Sequence, residues 1–403
     1  MSPKSLSCMS DFDDLPINSI SPEYKGNSIV NLMSNLLSHF GGQPKYPSLS
    51  CLHPSDLNNA SNIVLIVVDG LGYNYLKTYG RHSLLHKHLR GKITSVFPSS
   101  TASAMTSFYT GLAPLNHAVP GWYTYLKELG VVSKILLLSS RAFKNSITSE
   151  KVSPHALFQC QSIFNILKAK SYFILPNGIN DSQFSTFFGG KSTRLGYNDV
   201  QDFFDKLLYG LKLEKKQNFV FGYWPQLDYD SHLEGTKSTV QDFQAFNTGL
   251  EKLLDSLESK NLQDTTKILI TADHGLVDSP PERKVHLRDH PKLQSTLTLP
   301  LCGDHRAVFL YVRPSKVIDF EQYIKNHLNH AGTLMKTETL ISRGYFGLYD
   351  PHPRFYDRIG DYAMIMKENY AFMDHLLGED TKGLAAEHGG LNEDEMNVPL
   401  ILI

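Results

Sequence analysis

Three aspartates stand where short apolar runs of the sequence stop: Asp69 after "IVLIVV", Asp228 after "FVFGYWPQL" and Asp273 after "KILITA". A lone aspartate at the end of a strand is most simply a turn former. Here each has a partner that changes the chemistry. His232 follows Asp228 by four positions, one helical turn, and His274 follows Asp273 directly in "ADHG". Further on, "EHGG" sets His388 before two glycines that let the backbone approach closely. Carboxylate oxygen mixed with imidazole nitrogen suits zinc, and manganese or iron less specifically. Three aspartates and three histidines are enough for two dications with three protein ligands each, leaving positions for substrate and nucleophile.

The segment "VFPSSTASAMTSFYTG" (residues 96–111) carries seven aliphatic hydroxyls in sixteen positions. It reads as a helix start rich in capping residues, and one of the hydroxyls is a candidate nucleophile. Ser99, Ser100, Thr101 and Ser103 all qualify on residue type and position. The other histidines carry less weight. His82, His86 and His88 fall on a predicted surface helix, and His117, His286, His290, His305 and His352 fall in loops.

These residues need a scaffold that brings distant segments to one edge. "NIVLIVVDG" is a continuous Val/Ile/Leu run of the kind a fully buried strand shows. "KITSVF", "SYFIL", "NFVFGYW" and "TKILITADHG" are further strands, alternating with helical stretches that include "YNYLKTYGRHSLLHKHL" and residues near 155–168, 198–214 and 238–258. Such alternation predicts an α/β fold with a mostly parallel central sheet flanked by helices on both faces. Carboxyl ends of strands are where such sheets bind ligands. After Gly275 the texture changes to loop, then to a strand–helix unit at "RAVFLYV" and "FEQYIKNHL". We therefore expect a lead-in over residues 1–55, a core over 56–279 and 346–403, and a small α+β cap insertion over 280–345. "DYAMIM" and "VPLILI" are expected to rejoin the main sheet.

Composition narrows the function classes. The 403-residue chain is 41% hydrophobic and 20% charged with a net charge of −1, so no global field recruits a nucleic-acid polymer or an anionic membrane. The basic run "KLEKKQ" reads as a solvated face. Cys8, Cys51, Cys160 and Cys302 form no paired motif, which fits a reducing compartment. No run approaches the roughly eighteen apolar residues of a spanning helix, and the first residues lack a signal-type apolar core. The default expectation is cytoplasmic, with non-classical secretion the alternative.

Five segments in order, "VVDGLG", "FPSSTASAMTSFYTGLAPLNHAVPGW", "YWPQLDYDSHLEG", "TADHG" and "HGGLNEDEMNVPL", resemble the alkaline phosphatase superfamily. Within it the chain is most similar to the type I phosphodiesterase/nucleotide pyrophosphatase family in its bacterial short-cap form. Carried over position by position, the resemblance implies one metal site from Asp228, His232 and His388 and another from Asp69, Asp273 and His274. It implies Thr101 as nucleophile and metal ligand, nine residues before the Thr110–Gly111 pair. The first turn of a helix is a physically sensible place for it, because free backbone N–H groups and the helix dipole favour a developing alkoxide and an incoming phosphate.

The departures are specific. Ala118 and Ser231 each replace a family glycine, and Asp230 adds a carboxylate. Trp122 replaces an asparagine that helps hold a nonbridging phosphate oxygen in the eukaryotic-type members. Trp122 with Tyr123 and Tyr125 offers faces for stacking on a substrate, or for packing under the cap. The implied activity is a metal-dependent phosphoric ester hydrolase, a phosphodiesterase, acting on a small phosphodiester or nucleotide with two divalent ions, zinc first. Two dications would balance three carboxylates and an alkoxide, which favours a monoanionic diester over a dianionic monoester. Arg141 and Arg306 are the nearest candidates for a compensating cation. Alternatives are a phosphomonoesterase or phosphonate hydrolase on the same site, or a non-catalytic protein that kept the fold; the short cap speaks against a metal-dependent phosphoglycerate mutase.

Overall fold

The computed structural model describes residues 15–58, 60–143, 145–148, 152–211, 217–379 and 383–403. Most of "KLEKKQ", together with Cys8, lies outside them. Asn62–Val68 is buried along its whole length and occupies the centre of a seven-stranded sheet. Burying a Val, Leu or Ile side chain completely contributes about 1.5–3 kcal/mol, so this run is stable only with cover on both faces. The strand order is Leu89–Thr94, Asn397–Leu402, Thr266–Thr271, Asn62–Val68, Asn218–Trp224, Lys170–Pro176, Thr193–Tyr197. Asn397–Leu402 runs antiparallel to both neighbours, and the remaining strands are mutually parallel. "VPLILI" thus rejoins the main sheet as expected.

Register explains how the acidic residues converge. Asn62 pairs with Asn218 and with Thr266, and the ends match as Val68 with Trp224 and Val67 with Thr271. At the start of these strands the buried Asn218 side chain donates to Asn62 Oδ1 at 2.9 Å, and Asn62 donates to Thr266 Oγ1 at 3.4 Å. A one-residue slip would orphan these buried amides, so the polar ladder fixes the register at the end remote from the site. The three strands then stop level, and Asp69, Asp228 and Asp273 emerge at one edge.

The helix Thr101–Thr110 lies buried beside this edge, and Thr101 alone among its residues is partly exposed. It ends at Gly111, whose φ of +68° favours glycine and where a side chain would meet Leu37 at 2.5 Å. Leu37 belongs to Ile29–His39, a helix of the lead-in whose apolar face is buried in the same core.

A second, antiparallel sheet stands over the edge, in the order Gly332–Lys336, Tyr362–Met366, Ala307–Leu310, Cys302–Asp304, Tyr123–Leu126, Val131–Lys134, Ser139–Ser140. "DYAMIM" lies here and not in the main sheet. Its residues alternate between two apolar clusters, Ala363 and Ile365 facing one and Tyr362, Met364 and Met366 the other. A strand covered on both faces reads alike in either sheet, so sequence periodicity did not reveal which one held it. The single helix expected over "YNYLKTYGRHSLLHKHL" is two, Tyr73–Tyr79 and Leu84–Lys87, broken at Gly80, where a Cβ would strike the Leu76 carbonyl at 2.8 Å. Ser83 caps the second by accepting from the His86 N–H. The stretch near 155–168 is only Pro154–Phe158 and a 3₁₀ turn at Ile163–Asn165.

Candidate metal and hydrolytic site

The hydroxyl-rich segment sorts itself by partner. Thr106, Ser107 and Thr110 donate to carbonyls four residues back, at 2.7, 3.1 and 2.7 Å, as buried helical hydroxyls do. Ser99 Oγ donates to Gly390 O at 2.7 Å and Ser100 Oγ to Asp304 Oδ1 at 2.9 Å. Thr101 Oγ1 faces His274 Nε2 at 3.1 Å and lines a cleft of about 290 Å³. Of the four candidate hydroxyls, it alone lines the cleft.

Around it the six predicted ligands come together. Asp228 Oδ2 lies 3.3 Å from His232 Nε2, and its Oδ1 lies 3.8 Å from His388 Nε2. His274 Nε2 lies 3.5 Å from Asp69 Oδ1 and 3.4 Å from Asp273 Oδ2. The ligand atoms of Asp69, Asp273 and His274 fall within 4.8 Å of one another, as do those of Asp228, His274 and His388. His274 thus stands between the two groups, its ring stacked on His388 at 3.8 Å. Gly70 lets the chain turn away at φ +77°, where a Cβ would meet Asp228 at 3.1 Å.

Two observations test whether the set fits metal ions. All three Nδ1 atoms lie within hydrogen-bond reach of backbone carbonyls: His232 of Ala386 at 2.8 Å, His274 of Gly275 at 3.1 Å, His388 of Ser99 at 3.1 Å. A donating Nδ1–H fixes the tautomer and turns each Nε2 lone pair inward. Asp69 Oδ1, Asp228 Oδ1 and Asp273 Oδ2 are buried with no hydrogen-bond partner. Lone pairs facing lone pairs at these distances repel unless cations lie between them, so the donor set fits divalent ions.

The electrostatics match that crowding. Burial, with the nearby charges of Asp273 and Asp228, pushes Asp69 well above the usual carboxylate range. Burial pulls His388 well below the usual imidazole value, with His274 adding to the effect. Burial also disfavours the His232 cation, but the Asp228 carboxylate outweighs it and holds that imidazole at about 9.

Several residues of the site gave no signal in the sequence. Tyr223 donates its phenol to Asp69 Oδ2. The turn between Cys302–Asp304 and Ala307–Leu310 brings Asp304 and His305 to the cleft. Asp304, raised to about 6 by burial against the hydrogen bond from Ser100, also accepts from the Trp122 N–H at 3.4 Å. His305 Nδ1 pairs with Glu387 at 3.0 Å. A hairpin turn in a second sheet leaves no spacing pattern that links it to strand ends in the first.

Trp122 and Tyr123 line the cleft, whereas Tyr125 packs against Tyr311. Asp230 is bonded within its own helix by Gln226 at 2.6 Å. Neither candidate arginine is available to substrate. Arg141 is buried, paired with Asp374 and Glu379 and stacked on Tyr123 at 4.0 Å, and Arg306 is held by Glu395 at 2.7 and 2.8 Å. His117 is structural: the Val119 N–H donates to its Nδ1, and its Nε2 lies 3.0 Å from Ser107 Oγ.

An α/β core with this donor set beside a helix-start hydroxyl is in keeping with the sequence model of a family in the alkaline phosphatase superfamily, hydrolases of phosphoric ester bonds. The chain belongs to the type I phosphodiesterase/nucleotide pyrophosphatase family, whose sequence model matches residues 63–391. No curated protein matches the sequence significantly. Among solved structures, murine ectonucleotide pyrophosphatase/phosphodiesterase 5 superposes with a TM-score of 0.63 at 17% identity, over 84% of this chain and 87% of that one. An inactive form of it in complex with AMP gives the same figures. The human counterpart gives a TM-score of 0.62 at 17% identity over the same shares. At that identity the likeness speaks for the fold. Among the described residues no helix is long and apolar enough to cross a membrane.

Proposed function

We propose that the chain is a phosphodiesterase working through a phospho-threonine intermediate, with Asp69, Asp273 and His274 holding one divalent ion and Asp228, His232 and His388 a second. Zinc is the first choice for this mixed imidazole–carboxylate set. Bound ions of this kind acidify a hydroxyl or a water and offset the charge of the transferring phosphoryl group. Thr101 Oγ1 attacks phosphorus in line, the P–O bond to the leaving group breaks, and phospho-threonine forms. Water then attacks the same phosphorus and releases Thr101. The helix N-terminus directs its free N–H groups toward the phosphoryl oxygens.

The observation that carries this reading is the inward-facing, unpaired donor set beside Thr101. Diester preference follows from charge: among the described residues no lysine or arginine lines the cleft, while Asp304 and Glu387 add carboxylates to its wall. Trp122 and Tyr123 give an aromatic wall suited to a nucleoside, in keeping with the AMP complex of the murine relative. Turnover of bis(p-nitrophenyl) phosphate should exceed that of the monoester. Thr101→Ala should abolish it while leaving bound metal nearly intact. Full activity in that variant overturns the assignment.

A further inference from the structure

The turn between Cys302–Asp304 and Ala307–Leu310 is two residues long, because Asp304 pairs directly with Ala307. His305 and Arg306 form its tip, and the tip is fastened on several sides. Asp304 accepts from the hydroxyl of Ser100, the residue before Thr101, at 2.9 Å. Arg306 grips Glu395 at 2.7 and 2.8 Å. The His305 carbonyl accepts from the Phe372 N–H at 2.8 Å, and the Arg306 carbonyl from the Met366 N–H at 3.0 Å. His305 Nδ1 lies 3.0 Å from Glu387, the residue before His388. The tip is thus tied to the chain neighbours of the proposed nucleophile and of a proposed ligand, which holds His305 in a set position relative to both. A group placed in advance in this way costs no reorganisation when substrate arrives.

With Nδ1 committed to a carboxylate, the other ring nitrogen is left over. The side chain lines the catalytic cleft and is 21% exposed. Its Nε2 makes no hydrogen bond to any described residue and is not sealed from solvent, so it opens on the cleft. The other imidazoles on this wall differ: His232 and His388 turn Nε2 to Asp228, at 3.3 and 3.8 Å, within the proposed metal set. His305 is the cleft imidazole that the proposed metal sites do not use. We infer that His305 is a substrate-binding residue, its Nε2–H donating to a nonbridging oxygen of the phosphodiester. The inference deepens the phosphodiesterase reading above and rests on it.

Both ring nitrogens donate only when the imidazole carries its second proton. Burial disfavours that cation, but the Glu387 carboxylate outweighs it and raises His305 above the usual imidazole value. Asp304 favours the cation as well, while Arg141 opposes it, as do His286 and His375 when charged. Lys284 shares Glu387 at 3.6 Å. Among the described residues no lysine or arginine lines the cleft, so a protonated His305 supplies a cationic donor to a wall that Asp304 and Glu387 otherwise make acidic. Charge-assisted hydrogen bonds of this kind are roughly twice as strong as neutral ones.

Two substitutions separate the two ring nitrogens. In His305→Asn the amide nitrogen takes the place of Nδ1, keeping a donor for Glu387 and removing the one that faces the cleft. In His305→Gln the amide nitrogen reaches the place of Nε2, and the link to Glu387 is lost. Each is made in the zinc-loaded Thr101→Ala protein, and binding of bis(p-nitrophenyl) phosphate is read by titration calorimetry. His305→Asn should weaken binding on the order of tenfold or more, the effect of one lost hydrogen bond to a charged group. Its bound zinc and thermal midpoint should stay as in the parent. His305→Gln should bind the diester several-fold more tightly than His305→Asn. With Thr101 intact, His305→Asn should raise KM for the same diester by a similar factor. Unchanged affinity in His305→Asn overturns the contact, and so does a His305→Gln no better than His305→Asn. Unchanged affinity with a kcat loss confined to poor leaving groups makes His305 a proton donor to the leaving oxygen and also overturns it. If both variants lower the midpoint or shed zinc, His305 is structural and the contact is overturned. Thr101→Ala alone separates the levels: if it is active or binds no zinc, the underlying reading fails first, and if it is inactive and zinc-loaded, the failure concerns His305 alone.

Discussion

Tyr223→Phe isolates one hydrogen bond to one proposed ligand. The phenol donates to Asp69 Oδ2 inside a fully buried setting, and Asp69 Oδ1 accepts no hydrogen bond. Removing the phenolic oxygen leaves both carboxylate oxygens without a donor, while the ring still fills its place in the Asn218–Trp224 strand. Hydrogen bonds to charged groups contribute about 1.5–3 kcal/mol. Outer-shell partners of metal ligands change affinity about 10–100-fold, roughly 1.4–2.7 kcal/mol. The two scales agree, so metal affinity at the proposed Asp69/Asp273/His274 site should fall by one to two orders of magnitude. Competition with a chelating dye reads this directly. At saturating zinc, kcat should return to within a few-fold of wild type, because Thr101 and the cleft wall are untouched. Unaltered affinity, or a lost kcat that zinc does not restore, would refute the reasoning.

Arg306→Ala should cost about 3–5 kcal/mol in urea unfolding, since it strands the buried Glu395 that Arg306 grips with two hydrogen bonds; a loss under about 1 kcal/mol contradicts the role given to that pair. His117 is pushed down to about 3 by burial, against about 6.5 in the unfolded chain. Its folded pKa is depressed, so the stability it contributes is present above about 6.5 and is lost as pH falls toward 3, about 2 kcal/mol of it by pH 5. In EDTA, His117→Gln should therefore lose about 2 kcal/mol less than wild type between pH 7.5 and pH 5, and equal losses would show that His117 does not titrate on unfolding.

The main sheet and the edge where the site forms were legible because a central parallel strand has a distinctive texture. "NIVLIVVDG" and "TKILITADHG" announce buried strands with chemistry at their ends. Residue types and spacing also nominated Asp69, Asp228, His232, Asp273, His274 and His388, which the fold brings together. Singling out Thr101 from its neighbours took the family pattern, because Ser99, Ser100 and Ser103 are equivalent until the fold shows which hydroxyl faces the cleft. The second sheet was harder to read. Tyr123–Leu126 and Tyr362–Met366 are distant in the chain and join a hairpin at residues 302–310, a pairing that depends on tertiary contacts. Tyr223, Asp304 and Glu387 were missed, and His305 was given little weight among the loop histidines, for the same reason: each acts through a partner more than eighty positions away.

Anomalous diffraction at the zinc edge from zinc-soaked crystals tests the central claim most directly. Two peaks, roughly 3.5–4 Å apart, should appear, one bordered by Asp69, Asp273 and His274 and the other by Asp228, His232 and His388. A single peak shared among all six side chains, or none within bonding distance of them, would contradict the account.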